Sequence, residues 1–396
     1  MSSTIPLRLY VACGSYDGSV FAMSYDHLTL SETGQIRLKA EFIDPDAHPS
    51  PVTALAVCGD VVVSGSTDEA IQIFSLSKHC RMGCLEVHTG SIRHLVFADS
   101  RHFLSAGEDA CLAIWRRPNS RNATTATWQC IRQMRRHKGP ITSLCLHPSS
   151  RIAFTLSEDK TLRVWNLMRG RQAYTTRLKS LNAEGASAID ITGHFLLISW
   201  PYDRLDVVDL NQNKDKPVLS AKFSTSFSVP PVVFHEDEEH LYLLIGFGNK
   251  IKAFRCPIAA TMANASKLEP LGESRLPGKR LKFLKVLPWP AQLVSSQPDL
   301  YGGRRRLVTL VTTDIDGSYV RGYAVDLETS TDISSPDALR PVFAYDIRDI
   351  RLTRIDTVWA STGLDKDELQ SADVDMEEEE DDGTSEEEVD KDDESV

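Results

Sequence analysis

The sequence predicts an all-β chain folded as a seven-bladed β-propeller, closed by pairing of its N- and C-terminal strands and followed by a disordered acidic tail. Three observations predict it. A short motif recurs three times at near-regular spacing between His48 and Trp165. Two-strand bodies without the full motif continue downstream. The N-terminal body lacks its first strand, and a spare strand-like segment stands near the far end of the chain. No helical periodicity longer than a few turns precedes residue 360, so a mixed α/β fold is not expected.

The motif is read from three segments, His48–Phe74, His88–Trp115 and His137–Trp165. Each opens on a histidine and closes on an aromatic. An aspartate stands six residues before the aromatic: Asp68, Asp109 and Asp159. A hydroxyl stands ten before it: Ser64, Ser105 and Thr155. The closing aromatics are 41 and 50 residues apart, near the period of about 40–45 expected of four-stranded propeller repeats. The longer third spacing is absorbed by RRPNSRNATTATWQ, a polar, loop-like stretch. Within each segment apolar residues alternate with polar ones, most cleanly in Thr161-Leu162-Arg163-Val164-Trp165, as strands with one buried face require. SGSTDEA and SAGEDAC read as tight turns, where Gly and Asp supply the bends.

The later bodies are weaker. Ile189–Leu210 and Pro231–Phe254 each hold two strands but no closing Trp. Lys282–Trp289 and Arg304–Leu327 form another, split by an insertion over Pro288–Gly303. Leu9–Tyr25 is a body without its first strand, which Arg351–Trp359 can supply. Pairing the two ends removes the open strand edges that a linear array would expose. The blade count is then seven, over residues 5–360.

His, Ser and Asp together suggest a nucleophilic triad. A triad, however, needs one site with an oxyanion hole and a pocket. Three copies at matching offsets are better read as a repeated structural device, so no catalytic residue is assigned. The pattern resembles the hydrogen-bond network of WD40 repeats, in which His, Ser or Thr, Asp and the Trp ring nitrogen join across a blade. On that resemblance Trp115 and Trp165 donate, whereas Phe74 cannot and leaves its network truncated. His79, Cys80, Cys84 and His88 are close in sequence, but their spacing matches no standard zinc site, and His88 belongs to the repeat. No metal or cofactor is expected. Gly246-Phe-Gly248 and Tyr301-Gly-Gly303 lack the Gly-Lys-Ser/Thr and helix that a phosphate loop needs. No small-molecule substrate is therefore implied.

The net charge of -11 is unevenly distributed. Asp373–Val396 carries 15 Asp and Glu against one Lys, leaving 43 Lys and Arg against 40 Asp and Glu elsewhere. The body is slightly basic, and the acidity belongs to residues 361–396, too poor in apolar side chains to fold. Thr384 and Ser385 each have an acidic residue three positions on, which suits an acid-directed kinase. Basic clusters lie at Arg116-Arg117, Arg132 to Lys138, Lys279 to Lys285, Arg304 to Arg306 and Arg348 to Arg354. Each alone fits a solvated surface; together they permit contact with RNA or an acidic protein. No apolar run is long enough to span a membrane, and no signal peptide is read at the N-terminus. Eight scattered cysteines, with Cys13, Cys111 and Cys145 in expected strands, fit a reducing compartment, cytosol or nucleus. The sequons at Asn122 and Asn264 are then coincidental.

Val57–Lys179 carries a closer resemblance. Its residues are Val61–Glu69, Arg101–Asp109, His137-Lys138-Gly139, Leu146–Ser149, Asp159–Leu167 and Gly170-Arg171, joined by Arg351-Leu352-Thr353 and Trp359. These resemble the p21-activated kinase-interacting protein family of WD40-repeat proteins. The resemblance implies a nuclear and nucleolar scaffold that joins pre-ribosomal particles, with pre-ribosomal proteins and pre-rRNA as partners, in assembly of the large ribosomal subunit and rRNA maturation. As an alternative it implies an adaptor that binds and negatively regulates a p21-activated kinase.

Overall fold

The computed structural model describes residues 7–26, 39–117, 128–178, 186–201, 203–211, 217–235, 240–257, 268–278, 280–288, 307–314, 319–326, 339–347 and 350–361. These residues form an all-β propeller of four-stranded antiparallel sheets, seven among the described residues. The first sheet contains β1 (Leu7–Ser15), β2 (Val20–Asp26) and β3 (Lys39–Asp44). The second is β4 (Val52–Cys58), β5 (Val61–Ser66), β6 (Ala70–Ser75) and β7 (Cys80–Glu86). The third is β8 (Ile92–Phe97), β9 (His102–Gly107), β10 (Leu112–Arg116) and β11 (Gln129–Met134). The fourth is β12 (Ile141–Leu146), β13 (Ile152–Ser157), β14 (Thr161–Asn166) and β15 (Arg171–Arg177). The fifth is β16 (Ala188–Thr192), β17 (Phe195–Ser199), β18 (Arg204–Asp209) and β19 (Leu219–Lys222). The sixth is β20 (Val232–His235), β21 (His240–Phe247), β22 (Lys250–Pro257) and β23 (Glu269–Arg275). The seventh is β24 (Leu281–Pro288), β25 (Leu307–Asp314), β26 (Tyr319–Asp326) and β27 (Leu339–Asp346). The strand expected over Arg351–Trp359 is β28 (Leu352–Ser361), which pairs antiparallel with β1 from Leu7↔Ser361 to Ser15↔Leu352. No helix of the described residues is long and apolar enough to cross a membrane.

The turns follow from the motif. After Asp68, Asp109 and Asp159 the chain takes a positive φ at Glu69, Ala110 and Lys160. In each case the aspartate Oδ1 accepts the N–H two residues on, at 3.0, 3.2 and 2.9 Å. That side-chain bond holds a left-handed turn without glycine. The first sheet solves the same turn with Asp17-Gly18, where φ is 89°.

Buried side chains gather between successive sheets. One cluster joins the second and third through Val63, Ile71, Phe103 and Trp115; another joins the third and fourth through Leu104, Ile114 and Trp165. Trp115 stacks on Phe103 at 5.7 Å, and Phe74 on Phe42 of the first sheet at 5.2 Å. A further cluster joins Leu9, Val11 and Phe21 to Val320, Phe343 and Ile347 of the seventh sheet. The leading strands are neighbours in order: β4 with β8, β8 with β12, β12 with β16, β16 with β20, β20 with β24, β24 with β28, and β28 with β4.

Candidate functional site

The repeated motif residues come together in three sheets with one geometry. In the third, His88 Nδ1 lies 3.0 Å from Asp109 Oδ1 and Nε2 lies 2.7 Å from Ser105 Oγ. Trp115 Nε1 donates to the same Ser105 Oγ at 2.8 Å. In the fourth, His137 Nδ1 is 3.0 Å from Asp159 Oδ2, Nε2 is 2.7 Å from Thr155 Oγ1, and Trp165 Nε1 donates to Thr155 at 2.7 Å. In the second, His48 bridges Asp68 at 2.9 Å and Ser64 at 2.8 Å, and Phe74 leaves Ser64 without the third bond.

The donors and acceptors fix one direction. An ionised carboxylate only accepts, so each histidine carries its proton on Nδ1 and its Nε2 accepts from the hydroxyl. The hydroxyl oxygen then accepts from the indole. Burial lowers the pKa of His48 and His137, partly offset by Asp68 and Asp159, which favours the neutral ring this chain requires. Burial pushes Asp159 up, but bonds from Thr161, the Lys138 N–H and His137 outweigh it and hold the carboxyl well below the usual range. Asp109 is likewise held down, chiefly by His88 against the burial penalty.

Ser64, Ser105 and Thr155 are fully buried. A nucleophile must meet its substrate, and these hydroxyls meet a histidine on one side and, in two sheets, an indole on the other. What the arrangement does chemically is satisfy every buried polar group while locking strand, turn and loop together.

The cysteines and histidine once close in sequence are not gathered. Cys80 and Cys84 are exposed on β7, His79 lies 3.6 Å from Glu41, and His88 is buried in its own network. The only cluster of metal-donor type among the described residues is His88, Asp109 and Cys111. Its first two members already bond to each other, and burial, with Asp109 nearby, pushes the Cys111 thiol up to about 11. A thiol protonated at neutral pH is a poor ligand.

The basic clusters do not all sit on a solvated surface. Lys282, Lys285 and Arg354 belong to the leading strands β24 and β28. There Lys285 pairs with Asp356 at 2.7 Å, and Lys282 Nζ donates to the Leu352 carbonyl. Arg135 lies 3.3 Å from Asp109, and Arg351 stacks 4.7 Å above the Tyr16 ring. Arg304 to Arg306, Lys279, Arg348, Thr384, Ser385 and the whole acidic segment lie outside the described residues.

Two groups of residues were not legible in the sequence. The first is a seam between leading strands. A one-residue bulge at the start of β4, β8, β12 and β24 turns Thr53, Arg93, Thr142 and Lys282 out of the ladder. Around it Thr53 Oγ1 donates to the Ile92 carbonyl, His94 Nε2 donates to the Thr142 carbonyl at 2.7 Å, and Ser143 Oγ accepts the Ile189 N–H at 3.1 Å. Asp356 Oδ2 accepts the Val57 N–H at 2.9 Å. The second group replaces the motif in the fifth sheet. Trp200 Nε1 donates to Asp206 at 2.6 Å, Ser220 Oγ donates at 2.6 Å, and Arg204 adds a bond at 2.9 Å while stacking 5.2 Å over Trp200.

Comparison with known proteins agrees with this geometry. A family model described as WD domain, G-beta repeat, matches residues 80–116 and 128–166, which hold β7 to β10 and β11 to β14. The p21-activated protein kinase-interacting protein 1-like of Gallus gallus is 41% identical over 133 residues, covering 34% of this chain and 34% of that protein. Protein MAK11 of Saccharomyces cerevisiae is 29% identical over 193 residues, covering 44% of this chain and 45% of that protein. These matches span about a third to a half of each relative's length. Among solved structures, the computationally designed Ika8 protein superposes with a TM-score of 0.51 at 14% identity, over 80% of this chain and 93% of that one, a likeness of fold alone. Repeat geometry and relatives point the same way: the chain carries WD40 repeats and is similar to the p21-activated kinase-interacting protein family.

Proposed function

We propose that this protein is a non-catalytic scaffold acting in large ribosomal subunit biogenesis, within pre-ribosomal particles in the nucleus and nucleolus. The similarity to that family carries the reading. The charge division supports it, because the acidic segment 361–396 follows a slightly basic body, and free ribosomal proteins are strongly basic partners. We further infer that the seven sheets are the blades of one closed ring over residues 5–360; the neighbouring of β24, β28 and β4 and the cluster shared by the first and seventh sheets support it. A ring with its histidines, hydroxyls and aspartates committed to its own packing serves as a platform for partners.

The names of the relatives favour a second reading, an adaptor that binds a p21-activated kinase. Affinity purification of the tagged chain from nuclear extract in moderate salt separates the two. Recovery of large-subunit precursor RNA and assembly factors is the expected result. A kinase complex without ribosomal material, together with unchanged large-subunit precursors after depletion, overturns the ribosomal reading.

A further inference from the structure

A cavity of about 380 Å³ opens on the fourth sheet, and its charge is one-sided. Lys138 comes from the loop before β12, Lys160 from the β13–β14 turn, Arg163 from β14 and Arg177 from β15. In the register of these two strands Thr161 stands opposite Arg177 and Arg163 opposite Thr175. Alternate residues share a face, so both guanidinium groups arise from one side of the β14–β15 pair.

The single carboxylate in the lining, Asp159, is already committed. It accepts from His137, from the Lys138 N–H at 2.9 Å, and from the Thr161 N–H and hydroxyl at 2.9 and 2.6 Å. Among the described residues no carboxylate holds Lys138, Arg163 or Arg177. The Arg163 side chain donates one N–H to Gln172, and its Nε is buried with no hydrogen-bond partner. A buried guanidinium donor without an acceptor is costly, and the same guanidinium lines the cavity. Thr175 and Thr176 add hydroxyl donors to the wall.

Two features choose between anions. No aromatic side chain lines the cavity, so it offers no platform on which an RNA base could stack. β15 is the last strand of its sheet, paired to β14 on one side only, and most of its residues are exposed. An edge strand of this kind can take an additional extended strand. A phosphate ester on such a strand brings a charge near -2 to a cavity rich in cations.

We propose that this cavity binds a phosphorylated serine or threonine of a partner protein, whose backbone lies along the open edge of β15. The site does not depend on the ribosomal reading, since either a pre-ribosomal protein or a signalling protein can present the group.

The test uses the full chain and fluorescence anisotropy. The probes are a degenerate peptide pool with one fixed phosphoserine, its unphosphorylated twin, and a single-stranded oligouridylate. The phosphorylated pool should bind at least about ten-fold tighter than its twin, as expected for new charge-assisted bonds. The advantage should vanish in Arg177→Glu and, separately, in Lys138→Glu. Both side chains are exposed, so both variants should melt with the parent chain; if one misfolds, the other carries the test. Equal binding of the twin, absence of binding, or an advantage that survives in the variants overturns the proposal. Oligouridylate bound through Arg177 while the phosphorylated pool is not would assign the cavity to nucleic acid instead.

Discussion

Replacing Trp165 tests the repeat geometry most directly. Its ring is fully buried against the third sheet, among Leu104, Ile114 and Met134, and its indole N–H bonds Thr155. Truncation to Ala removes the packing and leaves a cavity, a cost of about 3–5 kcal/mol. At about 2 cal/mol/K per residue over roughly 350 residues, the unfolding entropy is about 0.7 kcal/mol/K, so Tm should fall by about 4–7 °C. Trp165→Phe keeps most of the ring and loses the donor, which should cost less, with about 1 kcal/mol of it due to the hydrogen bond. Thr155→Val removes the same bond from the other side but also deprives His137 Nε2 of its donor. A double-mutant cycle of Trp165→Phe with Thr155→Val, read by calorimetry, should show coupling of about 1 kcal/mol. Additive losses, or a Tm in Trp165→Ala within about 1 °C of the parent, would refute the chain of bonds from indole to aspartate.

Three further outcomes follow from the seam and the turns. Burial pushes His94 down to about 4, only partly opposed by its bond to the Thr142 carbonyl, with Arg354 and Arg93 adding to the shift. Above pH 6.5 neither state is charged there and its contribution is complete. Between pH 6.5 and 4 the unfolded chain takes up the proton first, so stability falls by up to about 3 kcal/mol. His94→Gln, which can still donate to Thr142, should lose less stability than the parent across that window in denaturant titrations; an identical pH slope would contradict this. Asp356→Ala strands the Val57 N–H, which should cost about 1–3 kcal/mol and speed hydrogen exchange at Val57, while loss of the half-exposed Lys285 partner adds little; unchanged exchange would show that the seam is dispensable. Gly18→Ala places a Cβ 2.0 Å from the His48 carbonyl oxygen at φ 89°, whereas Gly59→Ala meets open space at φ 53°. The second should cost about 1–2 kcal/mol and the first clearly more, and equal melting temperatures would argue against the turn.

The second to fourth sheets were legible because their motif repeats residue for residue. A His, a hydroxyl, an Asp and an aromatic at fixed offsets reveal both the strand boundaries and the side chains that meet. The first sheet was legible through an absence, a body with two strands and no leader. The body of the fifth was legible over Ile189–Leu210, but its network was not, because Asp206, Trp200, Arg204 and Ser220 build an equivalent buried network from different positions, with the indole six residues before the aspartate instead of after it. The seam was hidden for another reason. Thr53, His94 and Ser143 look like ordinary strand residues, and only the bulge beside each aims a polar group at the next sheet. The cavity on the fourth sheet was hidden likewise, since Lys138 and Arg177 stand far apart in sequence, and only the Lys138 N–H bond to Asp159 and the register of Arg177 against Thr161 bring them to one place.

The seam also bears on how the order of the sheets is specified. In five of the seven steps between leading strands a described side chain of one strand reaches the backbone of the next, all five in the same direction: Thr53 to Ile92, His94 to Thr142, Ser143 to Ile189, Lys282 to Leu352 and Asp356 to Val57. Hydrophobic contact between sheets is tolerant of sliding and of partner, but a buried polar group must find its own acceptor or donor. A directional set of such bonds therefore fixes each of these five sheets against its next neighbour at one height. The step from Asp356 to Val57 joins residues 299 apart in sequence, so it ties β28 to the second sheet. Pairing of β28 with β1 brings the chain ends together, and the aspartate then secures that composite sheet to the second. Loss of Asp356 should accordingly loosen the junction of the termini before it loosens the third and fourth sheets, whose own networks remain whole.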